Sequence, residues 1–475
     1  MGVFDRYAVI ALAAVLAGCG TIERAKEGQR EVSARGAGEV AGDSARFNLR
    51  GASLESLVAF AMTNRPSVVS ARLAVEDARL ALREIAADAP LVSDSPWTAP
   101  KLSLSGGYSE SSAGTTLRDH DWKTRGDPSA ALSLDLLIWD FGRYGARAKA
   151  QAERVVAAET ALVEEGYVVF EEVAAAYFDL FERCALLEVA VTNQAQYADH
   201  LSRAEERIRN GEANRLDVLR ARLDYANAVQ ETVAASNLVA TCGASLMNAL
   251  GIEVSRGTCD EVFGPDNVGI FSARRGFART TATAEEEFAL ARTNAPAMAV
   301  KRAELRAASY SVDYAIADLM PSVSASASLS WTDPLWYWKW GFSAAQTLFQ
   351  GFRKTTAVDR AVVAMRRAAT AVDGAEQSLS LHLETAIARR DNSVAAIESA
   401  RASVRSAREN LDTVKEQLSV GAASRIELSE AIAAHSRALG DCVAAFYAGQ
   451  RAEAELFALV GRYPVYTEGE VEETK

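Results

Sequence analysis

Two short stretches carry the residues whose types and spacing suggest local chemistry. Asn214 and Asp217 stand three apart just after Gly211, and Ser424 and Glu427 stand three apart just after Gly421. A side-chain oxygen followed three residues later by a carboxylate can start a helix by hydrogen bonding, and a glycine shortly before it can stop the incoming helix in a left-handed turn. Covalent and metal chemistry is poorly served by comparison. His120, His200, His382 and His435 are scattered, and each reads as a loop or helix-face residue rather than a ligand or base. Ser105-Gly106-Gly107 lies in an alternating pattern and lacks the Lys and helix that a phosphate loop requires. The chain is expected not to be an enzyme, with no catalytic residue, no metal and no cofactor.

Cysteine chemistry is confined to the leader and a few later positions. Arg6 precedes an apolar run from Tyr7 to Ala17, too short to span a bilayer at about 20 residues, and Leu16-Ala17-Gly18-Cys19 follows. This resembles a bacterial lipoprotein signal, which implies lipidation (palmitate among the acyl chains) at Cys19. Gly20 rather than Asp follows, so the sorting rule for such lipoproteins points to the outer membrane. An ordinary cleaved export signal is the other reading of the same leader. Cys184, Cys242, Cys259 and Cys442 remain. An oxidising compartment permits pairing of Cys184 with Cys242 or of Cys242 with Cys259, and buried free thiols are a third reading.

The elements that position the two capping stretches are long helices. The chain is rich in Ala, Glu, Arg and Leu, a composition of long helices or coiled coils, and its net charge of −12 gives no reason to expect nucleic acid as a partner. Arg143 to Asn210 contains no proline, which at about 1.5 Å per residue makes roughly 100 Å of helix. Arg353 to Val420 repeats it. The first return segment shows a heptad seam at Leu216, Leu219, Leu223 and Ala226, and in the second copy the seam lies on the incoming helix, the Arg353 to Val420 run, at Val404, Leu411, Val414 and Leu418. Gly211 and Gly421 are 210 residues apart, as are Arg143 and Arg353, and Gly251 and Gly461. Asn64-Arg65-Pro66 and Asn294-Ala295-Pro296 are likewise paired. The chain is therefore an internal duplication, with a signal peptide at 1–18, a tether or extended segment at 19–50, repeats at 51–251 and 284–462, a linker at 252–283 and an acidic tail at 463–475. The tips fall at 208–219 and 418–429.

Between its helices each repeat has a stretch of period two. Leu102, Leu104 and Tyr108, then Leu132, Leu134 and Leu136, alternate with Ser, Gly and Asp135 in a strand pair at about 100–139, joined by a polar loop with Asp119, His120, Asp121, Lys123 and Asp127. Val323, Ala325, Ala327 and Leu329 alternate with Ser in the second pair, at about 321–349, followed by Trp336, Trp338, Trp340 and Phe342. This is the alternation of a transmembrane β-strand, and Tyr108, Trp331 and the second-pair aromatics suit a membrane interface. Four strands cannot close a barrel, which needs about eight, and an open edge is prohibitive in lipid. Several protomers must share one barrel.

The tandem repeat, two strand pairs, long helical pairs, Asn210-Gly211 with Leu216-Asp217-Val218-Leu219, and Val420-Gly421 with Ile426-Glu427-Leu428 resemble the outer-membrane factor family, the TolC-like efflux and secretion channels. The lipobox resembles its lipid-anchored branch. The resemblance implies a mainly α fold with a membrane β-barrel: a homotrimer whose four strands per chain complete a twelve-stranded barrel continuous with an antiparallel coiled-coil tunnel. It implies a passive outer-membrane conduit working with a periplasmic adaptor and an inner-membrane RND-type or ABC-type transporter, anchored in outer-membrane lipid and extending into the periplasm. A duct for type I protein secretion and a pore-less periplasm-spanning lipoprotein are the competing readings.

The resemblance also implies a gate. Acidic positions just past the tips become Asp217, Glu427 and Glu430, with Arg215, Arg220, Arg222 and Arg425 as basic counterparts. Ala423 stands where the best-known members carry a basic residue, so the closing pairs do not transfer directly. Helix capping competes with the pore role for Asp217 and Glu427 but not for Glu430. Gly211, Leu216, Val218, Gly421 and Ile426 are implied to meet the adaptor's helical hairpins, with coiled-coil packing the equal alternative for the three aliphatic residues.

Overall fold

The computed structural model describes residues 21, 23–30, 32–33, 53–91, 100–113, 123–210, 215–252, 276–277, 283–332, 335–420, 422–462 and 466–467. Cys19, His120, Gly211, Asn214, Cys259 and Gly421 lie outside the described residues. The N-terminal unit, residues 1–52, contains α1 over residues 23–30, helical rather than extended and exposed all round. Its Glu, Arg, Ala and Lys residues are good helix formers, which a search for apolar periodicity overlooks.

The second unit begins at Ser53, whose hydroxyl caps α2 (Leu54–Asn64) by accepting from the Ser56 N–H. Then follow α3 (Pro66–Ala86), β1 (Lys101–Ala113), β2 (Lys123–Trp139), α4 (Arg143–Arg209), α5 (Arg215–Ala249), β3 (Gly276–Phe277), α6 (Ala284–Asn294), α7 (Pro296–Ala317), β4 (Ser322–Thr332), β5 (Leu335–Ala345), α8 (Arg353–Ser419), α9 (Arg425–Val460) and β6 (Tyr466–Thr467). β3 and β6 form a small antiparallel pair. α4 and α8 are each 67 residues long, and the repeat is intact element by element. Strands β1 and β2 run beyond the alternating stretches, so Lys123 and Asp127 lie in β2 and not in the loop.

Helix α4 is the axis of the fold, packed against α5, α9, α7 and α3. Its middle carries Val169, Phe170, Val173, Ala174, Phe178 and Leu180, all buried. Each returning helix ends against the kink of its own repeat. Gly251 adopts φ +76° beside the Asn64–Arg65 backbone, and Gly461 adopts φ +73° where an added Cβ would lie 2.9 Å from the Asn294 carbonyl oxygen. A left-handed residue without a Cβ is required at both places. The prolines of the two Asn-x-Pro kinks start α3 and α7 at the first helical turn, where their missing N–H has no partner to lose.

One seam is corrected. Leu216, Leu219 and Leu223 are 49%, 53% and 61% exposed, and the buried face of α5 is Val218, Ala221 and Ala228. Val218 and Ala221 cluster with Ala204 of α4, because small side chains let the two helices of the hairpin approach closely. The second-copy seam is buried at Leu411 and partly buried at Val414 and Leu418, against Leu428, Ala431 and Ile432 of α9.

Candidate functional site

The sheet runs β1-β2-β4-β5 with every pair antiparallel. Because side chains alternate across a strand, the register sorts residues into two faces. Leu102 pairs with Leu134, Leu134 with Ala327 and Ala327 with Trp340; Leu104 continues through Leu132 and Leu329 to Trp338. Those rows, with Ala130, Trp331 and Trp336 above and Leu136, Ala325 and Phe342 below, make one apolar face across all four strands. The opposite face carries Ser103, Ser133, Ser328 and Lys339 in one row and Lys101, Asp135, Ser326 and Gly341 in the next. Ser103 Oγ and Ser133 Oγ are 2.6 Å apart on it.

The apolar face is open to its surroundings, with Leu104 79% and Trp338 76% exposed. Tyr108, Trp336, Trp340 and Phe342 share it and are exposed, while Trp331 is half-buried with its ring 6.4 Å from that of Trp336. The four β5 aromatics of this face, Trp336, Trp338, Trp340 and Phe342, run the length of the strand rather than forming one ring. Further aromatics, which alternation did not identify, sit where strand passes into helix: Trp139 at the end of β2 and Phe141 just past it, Phe349 and Phe352 after β5, all exposed. Phe141 and Phe352 adopt φ +56° and +59°, a left-handed conformation that residue type does not announce. Asp140 then caps α4, accepting from the Gly142 and Tyr144 N–H groups.

At the far end of the helices, Ser424 caps α9. Its hydroxyl accepts from the Glu427 N–H at 3.2 Å and the Glu427 carboxylate accepts from the Ser424 N–H at 2.7 Å. Glu427 is thus held by the turn. Asp217, in the first turn of α5, reaches across to the other tip, with Oδ2 4.0 Å from Arg425 Nη1. Deeper along the same contact the Ser429 hydroxyl donates to Asp224 Oδ2 at 3.1 Å, and the Tyr197 hydroxyl donates to the Ser429 carbonyl at 3.4 Å. The sequence had not singled out Tyr197, Asp224 or Ser429, which come together only when the two tips lie side by side.

The remaining charges divide. Arg222 pairs with Glu205 inside the first hairpin at 2.8 Å. Arg215, Arg220 and Glu430 are exposed and, among the described residues, make no ion pair. Leu216 and Ile426 are exposed at the tips, whereas Val218 is buried and takes the packing role. His200 lies beside the inter-tip contact with a buried Nδ1 that has no hydrogen-bond partner among the described residues. Burial, then the Arg425 guanidinium, hold its imidazole below the ordinary range, opposed by Asp224. His382 is exposed and His435 half-buried, and among the described residues no three His, Cys, Asp or Glu side chains form a group able to hold a metal. No described helix is long and apolar enough to cross a membrane.

The outer membrane efflux protein family matches the chain over residues 57–252 and 288–462, one segment in each repeat. A search of curated proteins gave no match. Among solved structures the chain is similar to the outer membrane protein VceC of Vibrio cholerae, with 18% identity over 86% of this chain and 96% of that one and a TM-score of 0.70. It is also similar to the CmeC outer membrane channel of Campylobacter jejuni, with 16% identity, 86% and 85% coverage and a TM-score of 0.71. The open state of the MtrE outer membrane channel of Neisseria gonorrhoeae is similar too, with 17% identity, 86% and 89% coverage and a TM-score of 0.65. At these identities the likenesses establish the fold.

Proposed function

The chain belongs to the outer membrane efflux protein family, and on that premise we propose that three copies form a passive channel-tunnel leading from the periplasm to the exterior. The observation that carries this reading is the four-stranded sheet with one unbroken apolar face and two edges, β1 and β5, that have no strand partner among the described residues. Lipid requires that such edges be closed. An even number of strands lets each copy follow the last with antiparallel pairing maintained. Two copies would make eight strands, whose interior side chains fill, and three make twelve, wide enough to conduct. The apolar face then meets lipid, and Ser103, Ser133, Ser328 and Lys339 line the lumen.

The outward leucines of α5, at Leu219 and Leu223 beside Leu216, supply a seam for the neighbouring copy's helix, continuing the lateral packing that runs from α8 through α9 and α4 to α5. Closure at the narrow end rests on the Asp217–Arg425 contact and the Tyr197, Asp224 and Ser429 hydrogen bonds, with Glu430 facing the pore. Exposed Ile426 and Leu216, with Gly211 and Gly421, form the surface for a periplasmic adaptor's helical hairpins, through which an inner-membrane RND-type or ABC-type pump delivers substrate. Cys19 anchors the chain by lipid. Native mass measurement of detergent-extracted outer membranes should find three chains per particle; a monomer, or protein recovered free of membrane, would overturn this reading.

A further inference from the structure

Three contacts fix the antiparallel register of α4 and α5. Leu201 and Ala204 pack with Val218 and Ala221, Arg222 pairs with Glu205 at 2.8 Å, and the Thr232 hydroxyl donates to the Ala190 carbonyl at 3.4 Å. Carrying that register away from the tip sets Cys242 of α5 level with Arg183 and Cys184 of α4. Two further observations agree: the Arg183 guanidinium lies beside Cys242, and the two thiols lie close enough to interact electrostatically. Cys184 is buried, Cys242 half-buried, and both are thiols here.

We propose that Cys184 and Cys242 are a disulfide site, oxidised in the exported protein to staple the first hairpin midway between tip and sheet. The inference rests on the outer-membrane reading, because only an oxidising compartment sustains the bond. Each thiol loses its proton and one Sγ–Sγ bond forms. The two electrons pass by thiol–disulfide exchange to a periplasmic disulfide oxidant, which leaves as a dithiol. Cys242, more accessible and beside a guanidinium, makes the first attack, and Cys184 resolves the mixed disulfide. Burial pushes the Cys184 thiol up to about 12, so this second step belongs to folding, before the helices are fully packed. The second repeat has Val394 and Ala452 at the corresponding places, one repeat length of 210 residues on, while Cys442 of α9, set level with Cys184 by the Gly440–Leu186 and Tyr197–Ser429 contacts, is the competing partner across α4. The staple is therefore particular to the first hairpin and leaves the second, which carries Arg425 and Glu430, free to move against it.

The test is thiol mapping on trimers purified from outer membranes, denatured and alkylated without reductant, then digested and weighed. The Cys184 and Cys242 peptides should appear joined and unalkylated, separating and taking label only after reduction. Labelling of both without reduction, or a link from either to Cys259 or Cys442, overturns the proposal while leaving the trimeric channel standing. Failure to recover the protein from the outer membrane overturns the channel reading and this one together.

Discussion

Asp217 and Arg425 occupy the first turns of two helices separated by more than two hundred residues of chain, yet Asp217 Oδ2 lies 4.0 Å from Arg425 Nη1. The contact joins the two repeats at their hairpin tips. At that distance, and with both side chains part-exposed, it is worth about 0 to 1 kcal/mol, so it must act together with Asp224, Ser429 and Tyr197.

Replacing Arg425 by Ala should shift the closed-to-open balance by about fivefold at most, seen as more frequent high-conductance events. The exchange Asp217→Arg with Arg425→Asp should recover part of the loss in a double-mutant cycle. Additive effects of the two single changes would remove this pair from the gate.

Glu427 and Glu430 should separate cleanly. Glu427→Gln keeps a side-chain acceptor for the Ser424 N–H and should leave ion selectivity unchanged, while Ser424→Ala should cost about 1 kcal/mol of local helix stability. Glu430→Gln removes an exposed carboxylate with no capping duty, and should weaken cation preference and block by multivalent cations. Selectivity that follows Glu427 instead would reverse these assignments.

The faces of the sheet predict opposite outcomes for neighbouring positions. Ala327→Arg places a charge on the apolar face at a cost of about 2 to 4 kcal/mol in lipid and should abolish heat-resistant trimers in membrane extracts. Ser328→Arg, on the polar face, should leave them intact. Equal tolerance at both positions would mean that the apolar face does not meet lipid.

Much of this was legible in the sequence. Proline-free runs and the constant 210-residue spacing revealed the duplicated helices, and period-two alternation revealed the strands, because burial on one face leaves its period in the chain. Which face of α5 turns inward was not legible. Leu216, Leu219 and Leu223 keep coiled-coil spacing as well as any seam, but Val218 and Ala221 are smaller and admit α4 more closely. The inter-tip contacts were hidden for a different reason: Tyr197, Asp224 and Ser429 belong to three helices and meet only in space. So does the pair of buried Glu287 and half-buried Arg390, at 3.0 Å, which sequence shows only as two more charges on helices.

Acid should loosen the tip. The folded protein lowers the His200 value below its ordinary 6.5, through burial and Arg425 against the opposing Asp224 and Asp199. A lowered imidazole favours the neutral ring, so its contribution is complete above the ordinary value and is lost as pH falls through the lowered one. His435 is shifted the same way by burial, Lys415 and Arg408. Channel opening should rise as pH falls below about 6.5, with a flatter response in His200→Gln; an unchanged slope in that variant would exclude His200 from the transition.

Single-channel recording from the purified protein in planar bilayers tests the conduit most directly. Trimers should insert and give discrete, ohmic conductance steps that grow when Arg425 and Asp217 are replaced together by Ala. Folded, membrane-inserted protein that never conducts, with or without those replacements, would contradict a channel and leave a spacer.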